Sequence, residues 1–408
     1  MKVSNNVASV DKNRLCHGCG ACSYICQSNA ITLKNDGYNN YPFIDIAKCN
    51  QCGLCLKVCS GIHFDLKNTS CTEQELLLSK NNLYIGHSNQ ASVRQKSASG
   101  GIITQIILNL LREKIIDGAI VARNVGTIPD IGAAVVHSEE EVMNSTSSIY
   151  YPVSVCAALK QIDRNKKYIF VGKGCDLDSL NRISVIQPWI GKAIQLKIGI
   201  MCHHTPYAQE TKELVESVGI SNTRLTRIVY RGLGWPGDTV ITSGKRQYVL
   251  PYKISWGKYL GKNIPFRCKL CSNGMAGHGD IVVGDSWKMN PLLQKDLNDG
   301  YSLFMIRTDA AQNVLDKLCK ANDISIEPVS SKFLIDSQSN LISKNESALF
   351  KVLIFKLMYK ENLLNNTSFR YIITDTIFIR LLFSFKGLRR LASAFKNYYL
   401  YVKNKKDM

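Results

Sequence analysis

Apolar positions along this chain fall into two rhythms. Four short, nearly unbroken runs occur at Gly118-Ala-Ile-Val-Ala122, Lys167-Tyr-Ile-Phe-Val171, Leu196-Lys-Ile-Gly-Ile200 and Asp280-Ile-Val-Val-Gly284. Runs of this length read as buried strands. Between Gly101 and Lys114 the rhythm changes: Ile103, Ile106, Ile107, Leu110 and Leu111 recur at helical spacing. The alternation of strand and helix predicts a mixed α/β domain from about Leu83 to Ile326. Ahead of it, residues 30–33 and 41–45 read as two short strands, and the polar stretch 66–82 reads as a linker. Near the end, Leu381, Leu388, Leu391, Phe395, Tyr399 and Val402 share one helical face, with Lys386, Arg389, Arg390, Lys396 and Lys403 on the other. The division expected is therefore 1–65, 66–82, 83–330 and a basic helical tail over 331–408. The fold class expected is α+β, with a small amino-terminal domain before the larger mixed one.

Cysteines supply the chemistry of the small domain. They read Cys16-x-x-Cys19-x-x-Cys22-x-x-x-Cys26 and, 33 residues on, Cys49-x-x-Cys52-x-x-Cys55-x-x-x-Cys59. Two-residue gaps turn three successive sulfurs toward one 4Fe-4S core, while the fourth thiolate reaches across to the other cluster. The spacing thus predicts one cluster on Cys16, Cys19, Cys22 and Cys59, and another on Cys49, Cys52, Cys55 and Cys26. Structural zinc draws its four ligands from two separated pairs and has no use for the triple run. Gly20 and Gly53 each follow a second cysteine, where a Cβ would obstruct close backbone approach, and Ile31 and Leu33 match Phe64 and Leu66 across the same offset. This repeat resembles a bacterial dicluster ferredoxin. That family carries proline after each fourth cysteine, whereas here the positions hold Gln27 and Ser60. Cys71 lies outside any ligand spacing.

Composition narrows the setting. The chain opens Met-Lys-Val-Ser-Asn-Asn with no apolar signal core, and no apolar run reaches the roughly 18 residues of a membrane span. A cytoplasmic location is expected, where thiols stay reduced. The net charge is +19, and residues 331–408 hold 14 basic against 5 acidic side chains. No nucleic-acid-binding signature accompanies that charge. The tail helix would either pack with a solvated basic face or lie on an anionic membrane surface at the inner face.

Further features lie in the larger domain. Ser97-Ala-Ser-Gly-Gly101 precedes the helix near Ile102, where free backbone N–H groups either bind phosphate or are simply capped. Cys175 and Cys202 each follow a predicted strand, and Cys268-x-x-Cys271 precedes another. Spacing alone allows a third cluster, a zinc site or ordinary buried thiols.

The ordered set is more specific than its parts. Ser-Gly-Gly-Ile-Ile-Thr104, Ile116-Asp-Gly-Ala-Ile-Val-Ala122, Gly-Lys-Gly-Cys175, Ile-Met-Cys202, Cys268-x-x-Cys271 and Asp280-Ile-Val-Val-Gly-Asp285 follow the amino-terminal repeat. Together they resemble the coenzyme F-420 hydrogenase/dehydrogenase beta-subunit family over about residues 1–330. The resemblance implies FAD at the turn of Ser97, Ser99, Gly100, Gly101 and Thr104, and a third 4Fe-4S cluster on Cys175, Cys202, Cys268 and Cys271. Family members act on the deazaflavin F-420, on chlorophyll precursors or in polysaccharide synthesis. Departures at Gly172-Lys-Gly-Cys175, Cys202-His-His204 and Gly284-Asp-Ser-Trp287 leave the substrate open. His203, His204 and Asp285 are candidates for proton or cofactor contact, while Trp235, Trp256 and Trp287 are expected to pack. A flavin joins one-electron clusters to two-electron chemistry. The function expected is an iron-sulfur flavoprotein oxidoreductase acting on a small molecule and supplied by reduced ferredoxin or another redox protein. The alternative is an electron-transfer subunit that feeds a catalytic partner.

Overall fold

The computed structural model describes residues 5–12, 14–64, 72–78, 82–124, 131–221, 225–232, 234–288 and 300–359. The amphipathic helix expected over 381–402, Cys71 and most of the expected linker lie outside them. Thirteen strands are described. The small domain holds β1 (Ile31–Asn35) and β2 (Asn40–Ile44), paired antiparallel. The larger domain holds β3 (Asn82–Ser88), β4 (Gly118–Asn124), β5 (Ile131–Val136), β6 (Tyr168–Lys173), β7 (Ile194–Ile200), β8 (Arg227–Gly232), β9 (Asp238–Ser243), β10 (Arg246–Leu250), β11 (Ile281–Asp285), β12 (Ser302–Ile306) and β13 (Ile324–Pro328).

Eight of these form one sheet in the order β13-β3-β12-β11-β7-β6-β4-β5. Its centre, β4, β6, β7 and β11, is parallel, and β5, β12, β3 and β13 join antiparallel. The four apolar runs of the sequence are that parallel centre. They are apolar throughout because both faces are covered. Ile169 and Val171 of β6 face the helices Ile102–Arg112 and Asp309–Lys320, together with Ile106, Leu110 and Leu315. Tyr168 and Phe170 face the other way, into a core shared with Val7, Leu15, Ile25 and Val58 of the small domain. The small domain therefore completes the sheet's second hydrophobic layer. Strands β8, β9 and β10 make a separate antiparallel sheet.

Polar contacts fix the two domains together. The Cys156 amide donates to Cys19 O at 2.9 Å. Ser154 Oγ donates to Gly18 O at 2.7 Å, and Tyr24 OH to Gln187 Oε1 at 2.6 Å. Gly20 and Gly53 adopt left-handed φ of +85° and +75° and begin the helices Ala21–Ile25 and Leu54–Lys57. A Cβ on Gly20 would lie 2.9 Å from Ala157 Cβ, and one on Gly53 2.9 Å from Asn5 Nδ2. Backbone conformation and protein packing thus demand these two glycines, where the spacing of the thiols suggests clearance around a cluster.

Two boundaries also differ from expectation. The polar stretch 66–82 holds a helix, Glu73–Leu78, whose Leu76 is buried. Polar composition concealed it because, among its described side chains, only Leu76 reaches the core. Beyond residue 330, the helices Ser331–Ser337 and Ser339–Tyr359 bury Leu334, Leu341, Ile342, Ala348 and Val352 against the larger domain. The first part of the expected tail is thus integral to that domain. Among the described residues no helix is long and apolar enough to cross a membrane.

Phe170 is fully buried between β6 and the small domain. Phe170→Ala is expected to destabilise the protein by about 3–5 kcal/mol through lost burial and a residual cavity, read from denaturant unfolding followed by tryptophan fluorescence. A loss under about 1 kcal/mol would place this ring outside the cooperative core.

Candidate functional site

Eleven cysteines gather into three sets, each assembled from more than one segment. Burial raises the Cys16 thiol well above its ordinary range, and the nearby Cys59 and Cys19 raise it further. Burial does the same to Cys22, which also feels Cys16, Cys19 and Cys59, while Cys59 itself is pushed up to about 12. Cys55 is raised by burial and then by Cys52 and Cys26. Cys59 thus lies with Cys16, Cys19 and Cys22 of the other run, while Cys26 and Cys52 each lie near Cys55. Cys22 also feels Cys55, so the two sets are neighbours.

The third set belongs to the larger domain. Cys175 sits in the first turn of the helix Gly174–Ile186, directly after β6. Cys202 follows β7, and its amide donates to Gly274 O at 2.9 Å. Cys268 lies in the short helix Phe266–Lys269, and the Cys271 amide donates back to Cys268 O at 3.2 Å. Burial raises Cys175 well above its normal range, with Asp176, Cys271 and Cys202 adding to the effect. Cys202 is pushed up to about 12, burial being the main cause and Cys268 and Cys271 contributing. Lys344, Lys173 and Arg267 oppose these rises at one or more of the thiols.

This donor chemistry fits an iron-sulfur core. Crowded buried thiolates need a cationic centre among them, and cations around the third set favour a group that stays net negative once its thiolates are bound. A tetrahedral zinc with bonds of about 2.3 Å would draw its sulfurs within about 4 Å of one another. Among the described residues no three cysteines have ligand atoms within 4.8 Å of one another; the set that does is His17, Cys175 and Asp176.

A cavity of about 780 Å³ adjoins the third set and is lined by Lys173, Asp176, Cys202, His203 and His204 among others. That volume lies in the upper part of the range for ligand and cofactor sites. Elsewhere along its lining, Gly101 takes φ +81° and opens the helix Ile102–Arg112 with no side-chain cap. Ser97, Ser99, Gly101, Ile102, Ile103 and Thr104 line the cavity there. The first turn of this helix presents backbone N–H groups and the positive end of its dipole, an arrangement suited to an anion. Gly100 differs from its neighbours. Its amide donates to Ser302 Oγ at 3.0 Å, and a Cβ on it would fall 2.2 Å from Gly86 O. It serves the close packing of the turn on β3 and does not line the cavity.

The other candidates are held in specific ways. His203 Nδ1 and His204 Nδ1 are 3.1 Å apart, and His204 Nε2 lies 3.4 Å from Leu260 O. Burial lowers both rings to about 4, with Lys344 acting on His203 and His203 on His204. Both are neutral near pH 7 and donate or accept hydrogen bonds without carrying charge. Both carboxylate oxygens of Asp285 accept from Arg231, at 2.7 Å each, and Oδ1 also accepts from Trp235 Nε1 at 3.3 Å. That engagement suits Asp285 to shaping the cavity wall.

Sequence reasoning missed several cavity residues. Trp256, Trp287, Tyr150 and Tyr252 line it, with Tyr252 stacked on Trp287 at 5.7 Å. Trp287 is 41% exposed, so part of its face remains open. Lys173 Nζ is 3.0 Å from Asp176 Oδ2. Burial works against the Lys173 charge, but Asp176, Cys175 and Cys202 raise its pKa overall. Gln338 donates to Asp285 O at 2.6 Å, and Lys344 Nζ donates to His203 O, so the helices after residue 330 close one side. The departures at Gly172-Lys-Gly-Cys175 and Gly284-Asp-Ser-Trp287 are the visible signals for Lys173 and Trp287; nothing local marks Trp256, Tyr150 or Tyr252.

Comparisons with known proteins bear on this arrangement. The profile for the amino-terminal part of the coenzyme F420 hydrogenase/dehydrogenase beta subunit matches residues 83–160, and the profile for its carboxy-terminal part matches residues 165–332. A 4Fe-4S dicluster domain profile matches residues 15–60. The chain is 25% identical over 329 residues to an uncharacterized protein of Methanocaldococcus jannaschii, covering 73% of this chain and 84% of that one. In fold it is similar to a chain of the F420-reducing [NiFe] hydrogenase complex from Methanosarcina barkeri, with a TM-score of 0.51 and 18% identity, covering 69% of this chain and 91% of that chain.

Arg231 is 1% exposed and also lies beneath the rings of Tyr252 and Trp287, at 5.2 and 5.5 Å. Arg231→Met should therefore cost roughly 3 kcal/mol, because it leaves a largely buried carboxylate without its cation. The check is thermal unfolding followed by near-ultraviolet circular dichroism, which also reports the aromatic wall. An unchanged melting temperature would remove the pair from the structural core of the site.

Proposed function

We propose, from the premise that this chain belongs to the coenzyme F420 hydrogenase/dehydrogenase beta-subunit family, that it is an iron-sulfur flavoprotein oxidoreductase with three 4Fe-4S clusters and FAD. Iron-sulfur electron transfer is common ground for the family and for the dicluster domain. The observation that carries the fuller reading is the cavity, lined both by Cys202 and Lys173 and by an uncapped helix N-terminus.

The ligands proposed are Cys16, Cys19, Cys22 and Cys59 for one cluster and Cys49, Cys52, Cys55 and Cys26 for its neighbour. Cys175, Cys202, Cys268 and Cys271 would hold the third. FAD, when bound, supplies the exchange between single electrons and electron pairs. The chain's own part is positional and electrostatic. Ser97, Ser99, Gly101 and Thr104 would receive the phosphates at the helix N-terminus. Lys173, held by Asp176, keeps a positive charge on the wall nearest the third thiol set. His203 and His204, neutral and facing the cavity, are the groups best placed to hold a proton for a substrate. The aromatic wall of Tyr252, Trp256 and Trp287 excludes water and offers a flat face at the open side. That open side supports an enzyme with its own small-molecule substrate. Electrons would arrive from a redox protein at the small domain, where Cys52 is exposed.

Cys268→Ser with Cys271→Ser is expected to lower iron and acid-labile sulfide by about one third in anaerobically purified protein, with the flavin still present. Full iron content in that double variant would rule out a third cluster on these residues. Ser99→Asp places a carboxylate where phosphate is expected and should yield flavin-poor protein with wild-type iron. Full flavin occupancy in Ser99→Asp would move the phosphate site elsewhere. Gly100→Asp is the poorer probe, since its side chain would collide with Gly86 O.

A further inference from the structure

The first and third thiol sets are joined by one buried hydrogen-bond system, and each residue in it is a cysteine or a near neighbour of one. Ser60 follows Cys59 and is 1% exposed. Its Oγ donates to Cys175 O at 2.8 Å. Ser60 Oγ also lies 2.6 Å from His17 Nε2 and 2.8 Å from Ser179 Oγ. A serine hydroxyl has a single proton, and a carbonyl can only accept. The Ser60 proton is therefore committed to Cys175 O and His17 Nε2–H is a donor to Ser60, while the Ser179 hydroxyl has one proton for Ser60 Oγ or for Cys19 Sγ at 3.4 Å. From the opposite side, Arg267, next to Cys268, donates from Nε to Gly61 O and from Nη2 to Ser60 O, each at 2.8 Å. Its guanidinium lies 4.1 Å from the centre of the Phe64 ring. These contacts together span from Cys16–His17 and Cys59–Ser60 to Cys175 and Arg267–Cys268.

The internal repeat supplies a control. Gln27 occupies the position equivalent to Ser60 after the other fourth cysteine, and it is exposed. Dicluster ferredoxins carry proline at both places. Proline has no hydroxyl and could make none of the side-chain contacts of Ser60. The serine thus occurs in the half of the repeat that faces the third set, and the exposed half has kept no such group.

We propose that Ser60, with His17 and Arg267, is a positioning strut that holds the first thiol set at a fixed separation from the third, so that the redox groups carried by the two sets exchange electrons as a coupled pair. In such an exchange the group on Cys16, Cys19, Cys22 and Cys59 is oxidised by one electron, and that on Cys175, Cys202, Cys268 and Cys271 is reduced by the same electron. The strut moves no proton and breaks no bond. Its role rests on the third-cluster assignment above.

The test compares full-length wild type, Ser60→Ala and Arg267→Lys, purified anaerobically and reduced with dithionite. Wild type is expected to show electron paramagnetic resonance signals broadened by spin–spin interaction between neighbouring reduced centres. Ser60→Ala should keep its iron and sulfide, lose part of that broadening, and transfer electrons to the third set several-fold more slowly in stopped-flow traces. Unchanged line shapes and rates in an iron-replete Ser60→Ala protein would overturn the strut, even if its melting temperature fell. Should Ser60→Ala lose iron, Arg267→Lys keeps the serine, removes the paired carbonyl contacts and carries the same comparison. Wild type with iron for only two clusters would refute the underlying assignment instead. The strut is then read by hydrogen exchange: faster exchange of amides 59–64 and 174–179 in Ser60→Ala upholds it, and unchanged exchange overturns it.

Discussion

Four neighbouring strands, β4, β6, β7 and β11, run parallel and stop along one edge of the sheet. That shared edge is the constraint from which the rest of the site follows. Parallel strands put successive chain exits side by side, and ligands in open α/β sheets gather outside such carboxyl ends. Here β6 delivers Lys173 and Cys175, β7 delivers Cys202 and its two histidines, and β11 delivers Asp285. The register Lys173↔Ile200 and Val283↔Ile200 puts these exits at nearly one height. Cys175 and Cys202 thereby meet directly after their strands, while Cys268 and Cys271 reach them from the connection between β7 and β11.

The same sheet explains why the amino-terminal domain is built in and is not merely tethered. A domain of this size buries little apolar surface alone. Tyr168, Phe170 and Val282 on the sheet's second face supply the missing partner, in one core with Val7, Leu15, Ile25 and Val58. Polar contacts then set orientation: Cys19 O, Gly18 O and Ser60 Oγ are each tied to the larger domain. Burial sets the strength of this interface, and hydrogen bonds to loops beside the thiols set its geometry.

Much of this was legible in the sequence because its signals are local. Continuous apolar runs marked the parallel strands, a helical period marked Ile102–Arg112, and the double run of cysteines marked the small domain. What escaped was decided by distant partners. Gly100 sits among residues that line the cavity, yet the backbone of Gly86 determines its role. Trp256 and Trp287 look like packing residues until β8 supplies Arg231 beneath the rings around them. Residues 331–352 read as the start of a basic tail, because they precede the lysines and arginines that lie mostly beyond them, while their own buried Leu334, Leu341, Ile342 and Val352 bind these helices to the domain. Ser60 registered only as a departure from a pattern, since its hydroxyl has meaning only beside Cys175.

The three thiol sets are enclosed unequally. Cys19 and Cys55 are buried, most of the others are half-covered, and Cys52 alone stands exposed. An iron centre there would meet dissolved oxygen before one on either other set, because oxidants reach a cofactor through its least covered ligand. Damage in air would therefore be graded across the molecule, beginning at the outer set and reaching the inner two after the small domain has lost its own support. The opening that would let a redox partner approach would also be the point at which this protein is most perishable.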